Sequence, residues 1–527
     1  MQMPIIDKDE RVFREPYIFA ADVKAITLDN VLVNLFMLMR NNGARIKLML
    51  KTGTFHDIKS LKKYFHVLED KHEVQGYSEN PEAIESWIRS SLVNMVFRGK
   101  AKENIASMRP LHLESYRIRN QKHTKDYNTA DQLFIMISQR PEVMNALKNY
   151  LSIGWDNASR KIVDSPTLDV DTAGLLHLIK LVDIDTKVST SQVVIKPILE
   201  KQANLFCDDI MRLLAYQYSI PRSVFIDYLR ILTGFHLSLY FQKLVYLLPK
   251  MVKEGVLDEE GLDDWSQVVD LTDKLESSVS PIACADMDKT LNGLMDYIRA
   301  SYKIRVMRRI VTPHASVATA LAMIKNPSLE INADINANLR NIYNRYSANA
   351  KTTEEMQEAE QNAKELQEYL QYEESPLDKY VQCLMKVGAA YQFKYSRDFL
   401  DKASMKNESS ALIIDGRSRK HTRRGAIGSK LLEVLVQLLV LNQKDNGELE
   451  SRPLSIRQLA KEIRKRYGLI VDGTGEERFK DADIKTHLAF KDNMTALKNK
   501  LRQIGFYTDL SDASSLQKIR PRYKFNN

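Results

Sequence analysis

The sequence predicts a mainly α protein, a multi-domain helical body with a C-terminal winged helix-turn-helix domain, on three observations. Only 19 Gly and 15 Pro occur in 527 residues, too few breakers for a loop-rich all-β chain. Apolar residues recur at spacings of three and four over long stretches, the period of a helix with one buried face. The positive charge is gathered at one end. Of a formal net charge of +9, residues 416–527 hold 24 Lys+Arg against 13 Asp+Glu, and the remainder 53 against 55. One core rarely serves a chain of this length, so four regions are expected: an N-terminal helical domain (1–155), a central helical bundle (156–350), a helical spacer with linker (351–410) and the winged helix (411–527).

In the first region, Leu28 to Met39 reads as a helix closed near the Asn41-Asn42-Gly43 turn, and a second amphipathic helix is expected from Pro81 to Phe97. The strongest core signal lies between Leu205 and Leu248. LFCDDIMRLLAYQY and RSVFIDYLRILTGFHLSLYFQKLVYLL are separated by Ser219-Ile220-Pro221, with the proline suited to a helix start. Arg222, Asp227, Arg230, His236 and Lys243 interrupt the second piece too often for a membrane span, so a buried helical hairpin is expected. Lys351–Ser375 carries Met356, Ala359, Ala363, Leu366 and Leu370 as an apolar seam on a Glu/Gln-rich helix, the candidate surface for a homo-oligomer. Another helical stretch, Leu377–Lys402, leads to the polar run Ala403–Ser410, read as a linker.

The last region opens with GRSRKHTRR, whose Arg417, Arg419, Lys420, Arg423 and Arg424 form a basic arm. Helices are expected at Ser429–Asn442, Ser455–Gly468 and Phe490–Ile504, the last two separated by a polar insertion at Leu469–His487, and Gly505 ends the third. Two strand-like pieces, Phe506–Leu510 and Gln517–Phe525, complete the order of a winged helix. Its third helix offers Lys491, Asn493, Lys498, Lys500 and Arg502 away from the apolar stripe, and the wing offers Lys518, Arg520, Arg522 and Lys524. A local positive field of this kind attracts a polyanion through counterion release, so double-stranded DNA is the expected partner. The insertion argues for a backbone-dominated mode rather than base-specific reading. The alternative is a winged helix used for protein contacts, with its charge merely solvated.

Catalytic signatures are missing from the sequence. No GxxxxGK[ST] or GxGxxG follows a strand pattern, the ten histidines form no HExxH, and Cys207, Cys284 and Cys383 lie too far apart for a metal cluster. No cofactor, metal or enzyme activity is expected, and His177 and His236 read as structural groups. Asp183-Ile184-Asp185-Thr186-Lys187 has the residue types of an Mg²⁺ nuclease site, but a surface turn is the preferred reading. The unpaired cysteines, the charged N-terminus and the lack of an 18-residue uncharged apolar run predict a cytoplasmic chain without a membrane partner.

The segments AYQYSIPRSVFIDYLRILTGFHLSLY and MTALKNKLRQIGFYTDLSDASSLQKIRPRYKF resemble those of proteins encoded in bacterial anti-phage operons beside modification or restriction genes. That resemblance implies a non-catalytic subunit of a multi-gene defence system linked to DNA methylation or other modification, with other protein subunits as partners. The expectation is therefore a DNA-binding accessory subunit. The rivals are a stand-alone transcription regulator, which would use the Met356–Leu370 seam to dimerise, and a metal-dependent nuclease with its site in the first 400 residues.

Overall fold

The computed structural model describes residues 3–52, 57–98, 102–165, 168–181, 183–188, 195–311, 315–348, 350–415, 417–418, 421–444, 449–507 and 518–523. The fold is mainly helical. Its first half contains α1 (Leu28–Arg40), α2 (Ile58–Asp70), α3 (Pro81–Trp87), α4 (Thr129–Ile137), α5 (Pro141–Ser152), α6 (Val170–Leu181), α7 (Glu200–Leu214) and α8 (Arg222–Glu254). Then follow α9 (Glu259–Leu262), α10 (Ser280–Val311), α11 (Val317–Lys325), α12 (Leu329–Ser347), α13 (Thr353–Leu370) and α14 (Pro376–Ala403). The C-terminal region supplies α15 (Ser429–Leu439), α16 (Ile456–Tyr467) and α17 (Ile484–Gln503).

The apolar hairpin expected between Leu205 and Leu248 is α7 and α8. Pro221 stands just before the first turn of α8, where its missing N–H leaves no helical bond unmade. By length and composition α8 could cross a membrane, but 89% of its most apolar window is buried inside the fold. It is the axis around which α1, α7, α10, α14 and α15 pack. Phe241 of α8 sits edge-on to Phe399 of α14 and Tyr297 of α10, at centroid separations of 5.2 and 5.4 Å. Gly234 lets α14 come close, because a Cβ there would lie 2.7 Å from the carbonyl oxygen of Ala403.

Two expectations about local structure are corrected. The helix expected from Pro81 to Phe97 ends early: after α3 and one wide turn (Ile88–Leu92), Val93–Arg98 is a strand paired antiparallel with Lys102–Met108. VNMVF alternates and is rich in β-branched and aromatic residues, and a strand partner lies only a few residues on. Asp183–Lys187, read as a surface turn, lies in a strand, Asp183–Val188, paired antiparallel with Ile46–Thr52. The side chains of residues 183–186, four of the five in the candidate nuclease string, lie outside the described residues.

The seam on Lys351–Ser375 is used within the chain. Ala359, Leu366 and Leu370 of α13 are buried, and α13 packs on α12. In the run Ala403–Ser410, the residues Ala403, Ser404, Met405 and Ser410 are buried, and the Ser404 hydroxyl meets that of Ser238 at 2.7 Å. A single cluster of buried apolar side chains extends from Ile6 to Ile519. The basic tail is therefore built into the body.

Three chain segments make that junction. Leu469–Ile470 pairs in parallel with Gln267–Val268, and Asp270 N donates to Gly425 O at 2.9 Å on the other side. Beneath them Val268, Val279 and Ala283 of the body enclose Ile470, Ala489 and Phe490.

Candidate nucleic-acid interface

The C-terminal residues fold as α15, a short antiparallel pair (Leu441–Gln443 with Leu449–Ser451), α16 and α17, and Leu454 forms a bridge with Ile519. Ser455 caps α16 by accepting from Gln458 N, and the Gln458 side chain returns the bond to Ser455 N. Gly468, at φ +77°, ends it. Helix α17 starts six residues before its expected Phe490, capped by Asp483. The insertion is shorter and more ordered than the sequence suggests, because Leu469–Ile470 is a strand and Glu477–Phe479 a 3₁₀ turn.

Four residues expected on the DNA face are held in the interior or in ion pairs. Asn493 is fully buried: its Oδ1 accepts from Leu271 N at 2.8 Å, and its Nδ2 donates to Val269 O and Val471 O, both at 2.9 Å. Lys500 is buried, its ammonium donating to Asp273 at 2.8 Å and to Ile427 O at 2.9 Å. Arg424 is 1% exposed, with Asp270 at 2.8 Å on one side and Asp415 on the other. Arg423 grips Asp401 through two parallel bonds of 2.8 and 2.7 Å. Burial pushes the Asp401 carboxyl upward, but Arg423 and Lys406 outweigh it and hold the group below its usual range. These side chains fasten the tail to the body. Arg522 is also engaged, donating to Glu433 at 2.6 Å and to Ile504 O.

A buried cluster serves the same junction. Asp209 of α7 accepts from His236 Nε2 of α8 at 3.0 Å, and from Tyr467 OH at 2.8 Å and Arg466 Nε at 2.9 Å, both of α16. Gln202 Nε2 lies 3.3 Å from the other ring nitrogen of His236. Complete burial acts to raise Asp209, yet the Arg466 charge and the His236 and Tyr467 bonds hold it at about 2.

The outward stripe of α17 runs Ile484, Leu488, Lys491, Thr495, Lys498 and Arg502, at steps of three and four. Arg502 is exposed and Lys498 half-buried, with the Lys498 ammonium 5.2 Å from the Tyr507 ring centroid. Lys518 and Arg520 are exposed on either side of buried Ile519, and the Arg522 bond to Ile504 O holds their segment beside the end of α17. Arg417 is exposed and 3.1 Å from Asp415. Arg419, Lys420 and Lys524 lie outside the described residues, as do residues 508–517, half of the expected wing.

Helix α16 carries Arg457, Lys461, Arg464 and Lys465 off its buried face. In the structure they edge a cleft of about 1010 Å³ between α16 and α17, with Lys491 opposite and Ala460, Ile484, Leu488 and Met494 as its apolar lining. Arg464 is paired with Glu476 at 2.7 Å. The helix that bears these cations was legible in the sequence; the cleft was not, because it depends on how two helices pack.

His177 lies against Glu73 on the surface, and among the described residues no group of three or more His, Cys, Asp or Glu could hold a metal ion. A family model described as "Methylation-associated defense system protein MAD7" matches residues 8–523. No curated protein matches the chain.

Proposed function

The chain belongs to the methylation-associated defense system protein MAD7 family, and from that premise we propose that it is a cytoplasmic, non-catalytic accessory subunit that brings the other subunits of such a system to duplex DNA. The single observation behind DNA binding is the excess of positive charge in residues 416–527, 24 against 13, in a chain otherwise balanced. Because Arg423, Arg424 and Lys500 are buried or half-buried against carboxylates, the DNA contact falls to the exposed Arg417, Arg502, Lys518 and Arg520, with half-buried Lys498 beside them. α15, α16 and α17 with the Leu454–Ile519 bridge follow the order of a winged helix, in which the third helix and the wing meet the duplex together.

Such a surface binds mainly phosphates. Anisotropy of a labelled duplex titrated with the full chain over a salt series tests it: log K is expected to fall linearly with log salt, by about 0.9 per neutralised phosphate. Absence of binding at low salt sinks the reading. Plasmid left intact by the chain with Mg²⁺ or Mn²⁺ supports the non-catalytic role, and cleavage lost in Asp185→Ala overturns it.

A further inference from the structure

The body carries a second cationic surface, at two adjoining clefts. The first, about 240 Å³, lies between residues 11–24 and α14, with Tyr391 and Gln392 in its wall. The second, about 440 Å³, lies between residues 45–47 and the segment 119–128 that leads into α4. Asp22 lines both, and Lys24 of the first holds its ammonium 5.3 Å from the ring centroid of Tyr127 in the second.

Seven cations line the two clefts against three carboxylates, and the carboxylates are already engaged. Glu15 pairs with Arg308 of α10, Asp22 lies 3.8 Å from Arg14 and accepts from Asn128 at 2.8 Å, and Asp126 pairs with Arg45 at 2.7 Å. Asp131, outside the lining, shares the same Arg45 guanidinium. Among the described residues, Arg11, Lys24, Lys47, Arg119 and Lys125 have no carboxylate within salt-bridge distance. Burial lowers Arg119 to about 10 against the opposing pull of Asp126, a loss of solvation that an anion in the cleft would relieve.

Tyrosines stand among these cations. Tyr391 is 50% exposed, and its ring centroid lies 4.4 Å from that of Tyr395, one turn along α14. The Lys24 ammonium is 5.8 Å from the Tyr395 ring, and Lys394 adds a cation 5.5 Å from it. Asp398, in the next turn, lies 3.9 Å from Arg397. Tyr127 and Asn128 hold left-handed backbone, at φ +51° and +59°, a strained conformation for residues other than glycine. Asp22 fixes both, donating its N–H to Tyr127 O at 2.7 Å and accepting from Asn128 Nδ2, so the Tyr127 ring is kept beside Lys24.

We propose that the two clefts form one path for single-stranded nucleic acid, with a base stacked on Tyr391 and phosphates on Arg11, Lys24, Lys47, Arg119 and Lys125. Exposed aromatic rings set in a cationic groove suit unpaired bases, whereas the bases of a duplex are already stacked on both sides. An acidic protein segment would satisfy the cations but offers the rings no flat partner. The site stands apart from the duplex contact at Arg502, Lys518 and Arg520, and either can fail without the other.

Anisotropy of labelled oligothymidylate titrated with the full chain over a salt series tests the path. Tyr391→Ala is expected to weaken binding about tenfold and Tyr391→Phe to leave it at the wild-type value. Lys47→Ala with Lys125→Ala is expected to lower the magnitude of the slope of log K against log salt by about 0.7 for each of two lost phosphates. Lys518→Ala with Arg520→Ala is expected to keep the affinity for the single strand. Tyr391, Lys47 and Lys125 are exposed, and circular dichroism checks that each variant is folded. A wild-type chain that does not bind oligothymidylate at low salt overturns the proposal and leaves the clefts to an acidic protein. Affinity unchanged by Tyr391→Ala or by the lysine pair, a loss in Tyr391→Phe equal to that in Tyr391→Ala, or a loss in the Lys518 and Arg520 variant overturns it as well.

Discussion

Replacing Asn493 by Ala separates a structural role from a DNA-reading one. The side chain makes three hydrogen bonds to main-chain groups of two other segments, Leu271 N, Val269 O and Val471 O, and none of its surface is exposed. Each bond contributes about 1 kcal/mol net, and truncation strands a buried N–H and two carbonyls, so α17 should lose about 3 kcal/mol of its docking on the body. That corresponds to roughly a hundredfold in the opening equilibrium. Hydrogen exchange at Gln267 and Val269 reads it, because these amides bond to Gly468 O and Ile470 O and keep their acceptors in the variant. Their exchange is expected to quicken by about that factor, while duplex affinity of the folded protein at constant salt stays at the wild-type value. Unchanged exchange together with weakened DNA binding would refute the reasoning and return Asn493 to the DNA face.

Asp209→Asn is expected to destabilise the chain by about 3–5 kcal/mol in thermal unfolding, because Arg466 loses its counter-charge inside the fold, and adding Arg466→Gln should recover part of the loss. In the wild type the Asp209 carboxyl is held at about 2, below its usual 3.8, so its contribution is present above that usual value and disappears as pH falls through about 2. Acid unfolding monitored by circular dichroism should show this dependence, and Asp209→Asn should lack it. Burial pushes the Cys207 and Cys383 thiols up to about 12, whereas Cys284 is partly exposed. A thiol reagent at pH 8 is expected to label Cys284 alone in the native chain and all three after denaturation. Fast labelling of Cys207 or Cys383 would contradict the packing around α7 and α14.

Helix positions were legible where a periodic apolar run followed a capping residue, as after Ser375 and Ser455, and α1 was legible from its apolar run alone, since its N-cap Thr27 makes no side-chain bond. The sequence also showed the hairpin that became the central axis. Strand pairs were hidden for a physical reason: Ile46–Thr52 finds its partner at Asp183–Val188, far along the chain, and neither piece shows it alone. The candidate interface was half legible. Charge counting located the basic end, but assigning faces assumed a free-standing domain in which every polar residue off the apolar stripe meets solvent. In fact α17 has a second buried face, where Ala489, Phe490, Asn493 and Lys500 meet the body, and that face is polar enough to look exposed. The same docking took Arg424 into the interior, because Asp270 comes from a body segment more than a hundred residues earlier.

The central claim is that the exposed cations at the end of α17 and in the following segment hold duplex DNA by its phosphates. The most direct measurement compares the salt dependence of duplex binding for the full-length wild type with that for Lys518→Ala combined with Arg520→Ala. Two lost phosphate contacts should lower the magnitude of the slope of log K against log salt by about 2 and weaken binding alike for unrelated duplex sequences. An unchanged slope and affinity in the variant, or a wild-type chain that does not bind duplex at low salt, would contradict it.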